Sequence, residues 1–279
     1  MNTDKQKEKL CGLAAHLRGC IKGQEHVIGR VVSVLQRGEL GLAHCGRPKG
    51  SFLFVGPTGT GKTEITNAFT AYLFDGVKPP RFDMSEYQNQ SSVEKLIGEK
   101  VGDVGLLGRA LAKSDGGTLL FDEIEKAHPL VLDLFLQILD DASITLASGE
   151  RKNLSGYYIV CTSNIGASEA MRMQSAPFAS IERTVLARVN QTLRPELVGR
   201  ITEKVVFSRL PYEVQREICE SMIGGELSRL RMLGHAIVIT PDDVETILRA
   251  GFHKTLGARP MRGAVERFLQ ERAAGLLLT

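Results

Sequence analysis

Short apolar runs alternate with helical patterns over the first two-thirds of the chain. "SFLFV" (Ser51–Val55) reads as a buried strand, followed by a glycine-rich turn and a helix that starts near Lys62. "RFD" (Arg81–Asp83) reads as a second strand and "GTLLF" (Gly117–Phe121) as a third. A helix follows from about Pro129, where proline suits a first turn, and "VLDLFLQIL" carries its apolar residues at helical spacing. "YYIVC" (Tyr157–Cys161) and "KVVF" (Lys204–Phe207) supply a fourth and a fifth strand. Strands separated by helical patterns predict βαβ units and a parallel sheet. After Pro211 the texture turns helical, over Glu213–Leu233, Pro241–Ala250 and about Pro260–Ala274, with one short strand, "AIVIT" (Ala236–Thr240), between the first two. The expectation is an α/β large subdomain with an N-terminal helical segment over residues 1–210, and a small, mostly helical subdomain over 211–279.

One stretch breaks the alternation. "IGEKVGDVGLLG" (Ile97–Gly108) lies between two helical segments and holds Gly98, Gly102, Gly105 and Gly108, an acid, Asp103, near its middle, and no aromatic residue. Glycine at that density costs backbone entropy and suits a loop that moves or passes close to something.

Composition narrows the class without naming a job. A chain that is 43% hydrophobic and 24% charged is an ordinary soluble globular protein. The polar start, "MNTDKQKEKL", is unlike the apolar core of a signal peptide, and runs such as "SFLFV" are too short to span a bilayer. Five scattered cysteines without a Cys-x-x-Cys pair predict free thiols in a reducing cytoplasm rather than disulfides or a zinc site. His44, His128, His235 and His253 show no metal-ligand spacing and read as surface or helix-end residues. A net charge of +3 with no basic block, few aromatics, and Arg172, Arg183 and Arg188 spread through helical segments argues against a nucleic-acid motor.

The chemistry sits in two motifs. "GPTGTGKT" (Gly56, Pro57, Thr58, Gly59, Thr60, Gly61, Lys62, Thr63) has the Gly-x-x-x-x-Gly-Lys-Thr spacing between a strand and a helix. Gly59 and Gly61 let the backbone wrap phosphates and aim N–H groups and the positive helix end at them. Lys62 reaches the β- and γ-phosphates, and the Thr63 hydroxyl ligates magnesium. "TLLFDE" (Thr118–Glu123) is the companion: a strand of the same sheet delivers Asp122 beside Thr63 to hold the magnesium shell, and Glu123 can polarise the attacking water. ATP hydrolysis with Mg2+ is the expected reaction. Asn164, ending the fourth strand in "TSN", is open between a turn residue and a side chain that orients the water.

Taken in order, "GSFLFVGPTGTGKTE", "RFDMSEY", "LLFDEIEKAHPLVLDLFLQILDD", "TSNIG", "LRPELVGRITEKVVF" and "GARPMRGAVERFL" resemble the AAA+ P-loop ATPases of the Clp class, specifically the second ATPase module of ClpB and ClpA, from about Ile21 to the end. The resemblance implies a homo-oligomeric ring, usually a hexamer, with ATP between subunits, and a protein substrate or adaptor as partner. It makes Asn164 the sensor on the fourth strand, Arg259 a second sensor from the small subdomain, and Arg200 the arginine finger of the adjacent subunit's site. "IKGQ" matches the segment around the adenine, so Ile21 and Lys22 are candidates there, with Ile21 as simple core the competing reading.

The departures are as informative. Against the ClpB class the chain reads as a single module, without an N-terminal domain, a first ATPase module or a coiled-coil insertion. The family's pore loop carries Gly-aromatic-Val-Gly; the match here is Gly102, Asp103, Val104 and Gly105, so an acid stands where an aromatic grips threaded polypeptide. Leu106 and Leu107 are substitute contacts or core positions of the next helix. Nothing between Ile165 and Leu193 matches the Ile-Gly-Phe or Ile-Gly-Leu loop that docks ClpP, and "AAGLLLT" falls short of the small domain's usual last strand. The sequence predicts an ATP-driven protein remodeller with an atypical pore loop. The alternative is a non-threading assembly or switch module acting on a specific partner in a larger apparatus.

Overall fold

The computed structural model describes residues 3–173, 175–253 and 256–277. By internal contacts the chain forms two compact units: residues 1–56 with 61–207, and residues 57–60 with 208–279.

The first unit opens with two helices, α1 (Thr3–Cys20) and α2 (Glu25–Glu39), before the central strand β1 (Gly50–Val55) and helix α3 (Lys62–Leu73). β2 (Arg81–Asp83), α4 (Gln90–Ile97), α5 (Gly105–Leu111), β3 (Gly117–Asp122) and α6 (Pro129–Asp141) follow. A small antiparallel pair, β4 (Ser143–Thr145) and β5 (Arg151–Asn153), precedes β6 (Tyr157–Ser163). Helices α7 (Ala167–Arg172), α8 (Phe178–Thr192) and α9 (Pro195–Arg200) then lead to β7 (Glu203–Val206). The five-stranded sheet runs β2-β3-β6-β1-β7 and every pair in it is parallel.

A parallel sheet needs both faces covered, which is why its strands read as continuous apolar runs. Alternation divides them between two cores. Leu53, Val55, Leu119, Phe121, Ile159 and Cys161 face one side with the buried residues of α5, α6, α8 and α9. Phe52, Phe54, Leu120, Tyr158 and Val160 face the other, against Leu13 and Leu17 of α1, the valines of α2, and Ile65 and Phe69 of α3. The Phe121 ring meets Phe135 edge-on at 4.6 Å and stacks on Phe82 at 5.2 Å, so this layer is locked by aromatic geometry as well as by area.

In the second unit α10 (Tyr212–Met232), α11 (Pro241–Gly251) and α12 (Met261–Leu277) bury Cys219, Ile223, Ile247, Leu248, Met261, Val265 and Leu269 in a core of their own. Thr240 caps α11 through a reciprocal capping box with Asp243. The strand expected over "AIVIT" is not formed. Ile237 is buried and Val238 is 80% exposed, so the alternation is real. Among the described residues of this unit, though, the backbone pairing is a single bridge, His253 with Gly257, and no second strand lies beside residues 236–240. An extended segment without a ladder partner is not a strand.

Candidate nucleotide site

Parallel register brings the chemistry to one end of the sheet. Val55 lies opposite Ser163, and Phe121 opposite Cys161, so Gly56, Asp122 and Asn164 emerge together at the carboxyl ends of three neighbouring strands. That edge is where open α/β sheets bind ligands. Between β1 and α3 the chain turns on Gly61, whose φ of 105° suits glycine and which precedes α3 without any side-chain cap. The helix therefore starts with donors that no capping side chain satisfies, the form an anion site takes. Thr60 Oγ1 donates to the Pro57 carbonyl at 2.8 Å, closing the turn of residues 57–60 on itself.

Lys62, buried, is the hub. Its Nζ donates to the Gly56 carbonyl at 2.5 Å and to Asn164 Oδ1 at 3.0 Å. Burial pulls its ammonium down to about 8, while the charges of Glu125, Asp122 and Glu123 oppose that shift. Asn164 turns its other end to Glu123, donating from Nδ2 to Oε1 at 3.1 Å. One carboxamide thus joins the lysine of the phosphate loop to the carboxylate that follows β3. Glu123 holds a left-handed backbone, φ 56° and ψ 51°, which costs a non-glycine residue about 1–3 kcal/mol and persists where surrounding structure enforces it.

Asp122 is buried at 4% exposure. Its Oδ1 accepts the Thr162 hydroxyl at 2.6 Å, and the same hydroxyl accepts the Glu123 N–H at 3.3 Å. Its Oδ2 makes no hydrogen bond, although Arg81 Nε stands 2.5 Å away. Thr63 sits half-buried in the first turn of α3. A buried carboxylate oxygen without a hydrogen bond, an uncapped helix start and a buried lysine are a donor set that fits a magnesium nucleotide.

The remaining site residues lie further out. Ile21 is buried with the α1–α3 core, and its Cγ2 would stand 4.0 Å from a Cβ placed on Gly61. Lys22 Nζ donates to the Arg18 carbonyl at 3.2 Å. Arg200, at the end of α9, pairs its Nε with Asp140 Oδ2 at 2.5 Å and donates from a second nitrogen to the Glu196 carbonyl at 3.1 Å. It makes no described bond to the Lys62–Asn164–Glu123 cluster. Arg259 belongs to the second unit and is exposed, with no hydrogen bond or ion pair to its guanidinium among the described residues.

Sequence reasoning passed over Thr162, Glu125 and Arg81. Thr162 was within reach: on a strand, residues two apart share a face, so Thr162 and Asn164 were bound to point the same way.

The glycine-rich loop is tighter than its composition suggests. A Cβ on Gly98 would stand 2.1 Å from the Asp103 carbonyl, and one on Gly105 would stand 2.4 Å from Gly98 N, so these glycines let the two ends of the loop touch. The Asp103 carboxylate clasps it, accepting from Gly105 N through Oδ1 and from Glu99 N through Oδ2, each at 3.1 Å. Those two N–H groups, Gly105 first, hold the carboxyl below its usual range, with Arg109 and Lys100 adding to the effect. The apolar side chain that reaches furthest into solvent here is Val101, 89% exposed; Leu106 is half exposed and Leu107 is fully buried. Asp103→Ala should speed amide exchange across Glu99–Gly105 by about tenfold or more. Hydrogen exchange read by mass spectrometry checks this, and unchanged protection of that segment would remove the clasp.

A doubly wound parallel sheet with a lysine-bearing phosphate loop after β1 and an Asp–Glu pair at the end of β3, one strand removed across β6, defines a P-loop nucleotide-binding module. Comparison with known proteins narrows it. The AAA domain (Cdc48 subfamily) family matches residues 47–204, and the C-terminal, D2-small domain, of ClpB protein matches residues 210–279. Heat shock protein 100 of Trypanosoma brucei brucei is 36% identical over 280 residues, 98% of this chain and 32% of that protein. The chaperone protein ClpB of Pseudomonas putida is 34% identical over 279 residues, 98% of this chain and 33% of that protein. A solved structure described as the closed state of Hsp104 with ATPyS and FITC casein superposes with a TM-score of 0.88 at 30% identity, covering 99% of this chain and 49% of that one. The chain belongs to the AAA ATPase family, in its ClpB/Hsp100 branch, and spans about a third of the length of the curated relatives it matches.

Proposed function

We propose that the protein is an ATP-hydrolysing remodeller of other proteins, working in the cytoplasm as a homo-oligomeric ring, a hexamer in keeping with the family. The observation that carries the reading is the Lys62–Asn164–Glu123 chain of hydrogen bonds, which ties the phosphate-loop cation to a carboxylate able to take a proton from water. Gly56–Thr63 would hold the nucleotide phosphates, with Ile21 and Lys22 toward the adenine, and Thr63 and Asp122 would hold Mg2+. Bound ATP supplies the phosphoryl group and Mg2+ offsets its charge. Lys62 stabilises charge on the phosphates, Asn164 fixes the direction of the Glu123 carboxylate, and Glu123 receives the proton. Arg200 would act in the neighbouring subunit's site, exchanging Asp140 for phosphate, and Arg259 would be the second sensor. The Gly102–Gly105 loop faces the ring's pore.

The alternative, a partner-specific switch that does not thread, is favoured by one observation: Asp103 is committed to the loop's own backbone, so its side chain grips nothing. Turnover per subunit, measured against protein concentration with and without casein, separates the readings. Turnover that rises with concentration and is stimulated by casein supports a threading ring. A rise without any casein response favours the switch. Constant turnover per subunit at all concentrations sinks the shared site.

A further inference from the structure

Three carboxylates surround Lys62, and the functions above absorb two. The third, Glu125, lies in the single 3-10 turn Ile124–Lys126 that follows Glu123. Its side chain turns back to the end of β6, where Oε1 accepts the main-chain N–H of Asn164 at 3.0 Å. The strand ladder has ended there. Ser163 O accepts the Gly56 N–H, and the Ile165 N–H goes to Ser163 Oγ, so Glu125 satisfies the Asn164 donor between them. Its other oxygen, Oε2, is buried and makes no hydrogen bond. Of the three acidic charges felt by Lys62, that of Glu125 is the strongest. A carboxylate oxygen left unsatisfied near a buried lysine has a cost in stability, yet among the described residues its partner oxygen accepts one hydrogen bond, from the backbone N–H of the residue whose carboxamide bridges Lys62 and Glu123.

We propose that Glu125 is a positioning residue for hydrolysis: by anchoring the Asn164 main chain it fixes the carboxamide that aligns Glu123 with Lys62. This rests on the ATPase reading. Glu125 approaches no reacting atom itself; it sets the angle from which Asn164 addresses both partners. A displacement of about 1 Å in such a relay is enough to cost up to about a hundredfold in rate.

Two near-isosteric changes divide the hydrogen bond from the charge. Glu125→Gln keeps an acceptor for the Asn164 N–H and drops the charge; Glu125→Asp keeps the charge and withdraws the acceptor by one methylene. Steady-state ATP turnover and the affinity for a fluorescent ADP analogue are measured for both, each also in an Asn164→Ala background, with Glu123→Gln alongside. The expectation is that Glu125→Asp lowers kcat about ten- to a hundredfold, with analogue affinity changed less than about threefold. Glu125→Gln should keep most of the turnover, and Glu125→Asp should cost less than about twofold once Asn164 is already alanine. Loss of kcat in Glu125→Gln matching that in Glu125→Asp overturns the proposal, as does an undiminished cost of Glu125→Asp in the alanine background. Wild-type kcat in Glu125→Asp overturns it too. A wild type without turnover sinks the ATPase reading instead, and the role of Glu125 falls with it.

Discussion

Glu123→Gln should abolish turnover while leaving the nucleotide bound. Glutamine keeps an oxygen to accept the Asn164 Nδ2–H, so the Lys62–Asn164 link and the left-handed turn at residue 123 survive the change. What disappears is the basicity. Loss of a positioned general base typically costs between about a hundred- and ten-thousandfold, so kcat should fall about a thousandfold. Lys62 and the start of α3 are untouched, and affinity for ATP should stay within about threefold. Single-turnover hydrolysis and equilibrium binding of a fluorescent nucleotide measure the two parts separately. If the variant keeps more than about a tenth of wild-type turnover, Glu123 is not the base and the role given to Asn164 loses its object.

Arg200→Ala should be nearly as damaging by a different route. An arginine supplied across a subunit boundary contributes a rate factor of about a thousand or more to phosphoryl transfer. Within its own chain Arg200 pairs with half-exposed Asp140, a contact worth little by itself, so folding should barely register the change. Mixing gives the sharper result. In mixed rings a subunit carrying Arg200→Ala still has its own Glu123, and a neighbour carrying Glu123→Gln still has Arg200. Two inactive preparations should therefore recover turnover when combined. Failure to complement, with mixed rings demonstrated by native mass spectrometry, would place Arg200 outside the neighbour's site.

The phosphate loop and the strands were legible because both are written locally. A strand buried on two faces appears as an unbroken apolar run, and a loop that wraps phosphate needs glycine and lysine at fixed spacing. The hairpin of β4 and β5 left no such mark. Each strand is three residues long, and the second, "RKN", is all polar. "AIVIT" failed in the opposite sense: alternation records which side chains are buried, and Ile237 is buried, but it is silent on whether a partner strand exists.

The partners of Glu125, Thr162 and Arg81 were hidden for a further reason. Their contacts depend on which strands lie side by side and in what register, and Thr162 meets Asp122 only because β6 sits next to β3. Asp103 is the instructive middle case. The missing aromatic was visible, yet the acid's own work was local, an N–H two residues ahead and another four behind, the short-range bonding that aspartate favours in turns.

The position of β1 also bears on how the protein comes into being. The strand that delivers the phosphate loop is hydrogen-bonded on one side to residues 158–163 and on the other to residues 203–206, more than a hundred positions later in the chain. Such remote pairings raise contact order and slow folding. On the ribosome, β1 has no neighbour until β6 has been synthesised, and its second edge stays open until β7 follows. Its largely apolar sequence, buried throughout in the fold, is then an unprotected template for mispairing. A protein proposed to remodel other proteins would itself pass through the kind of exposed intermediate that such machines handle.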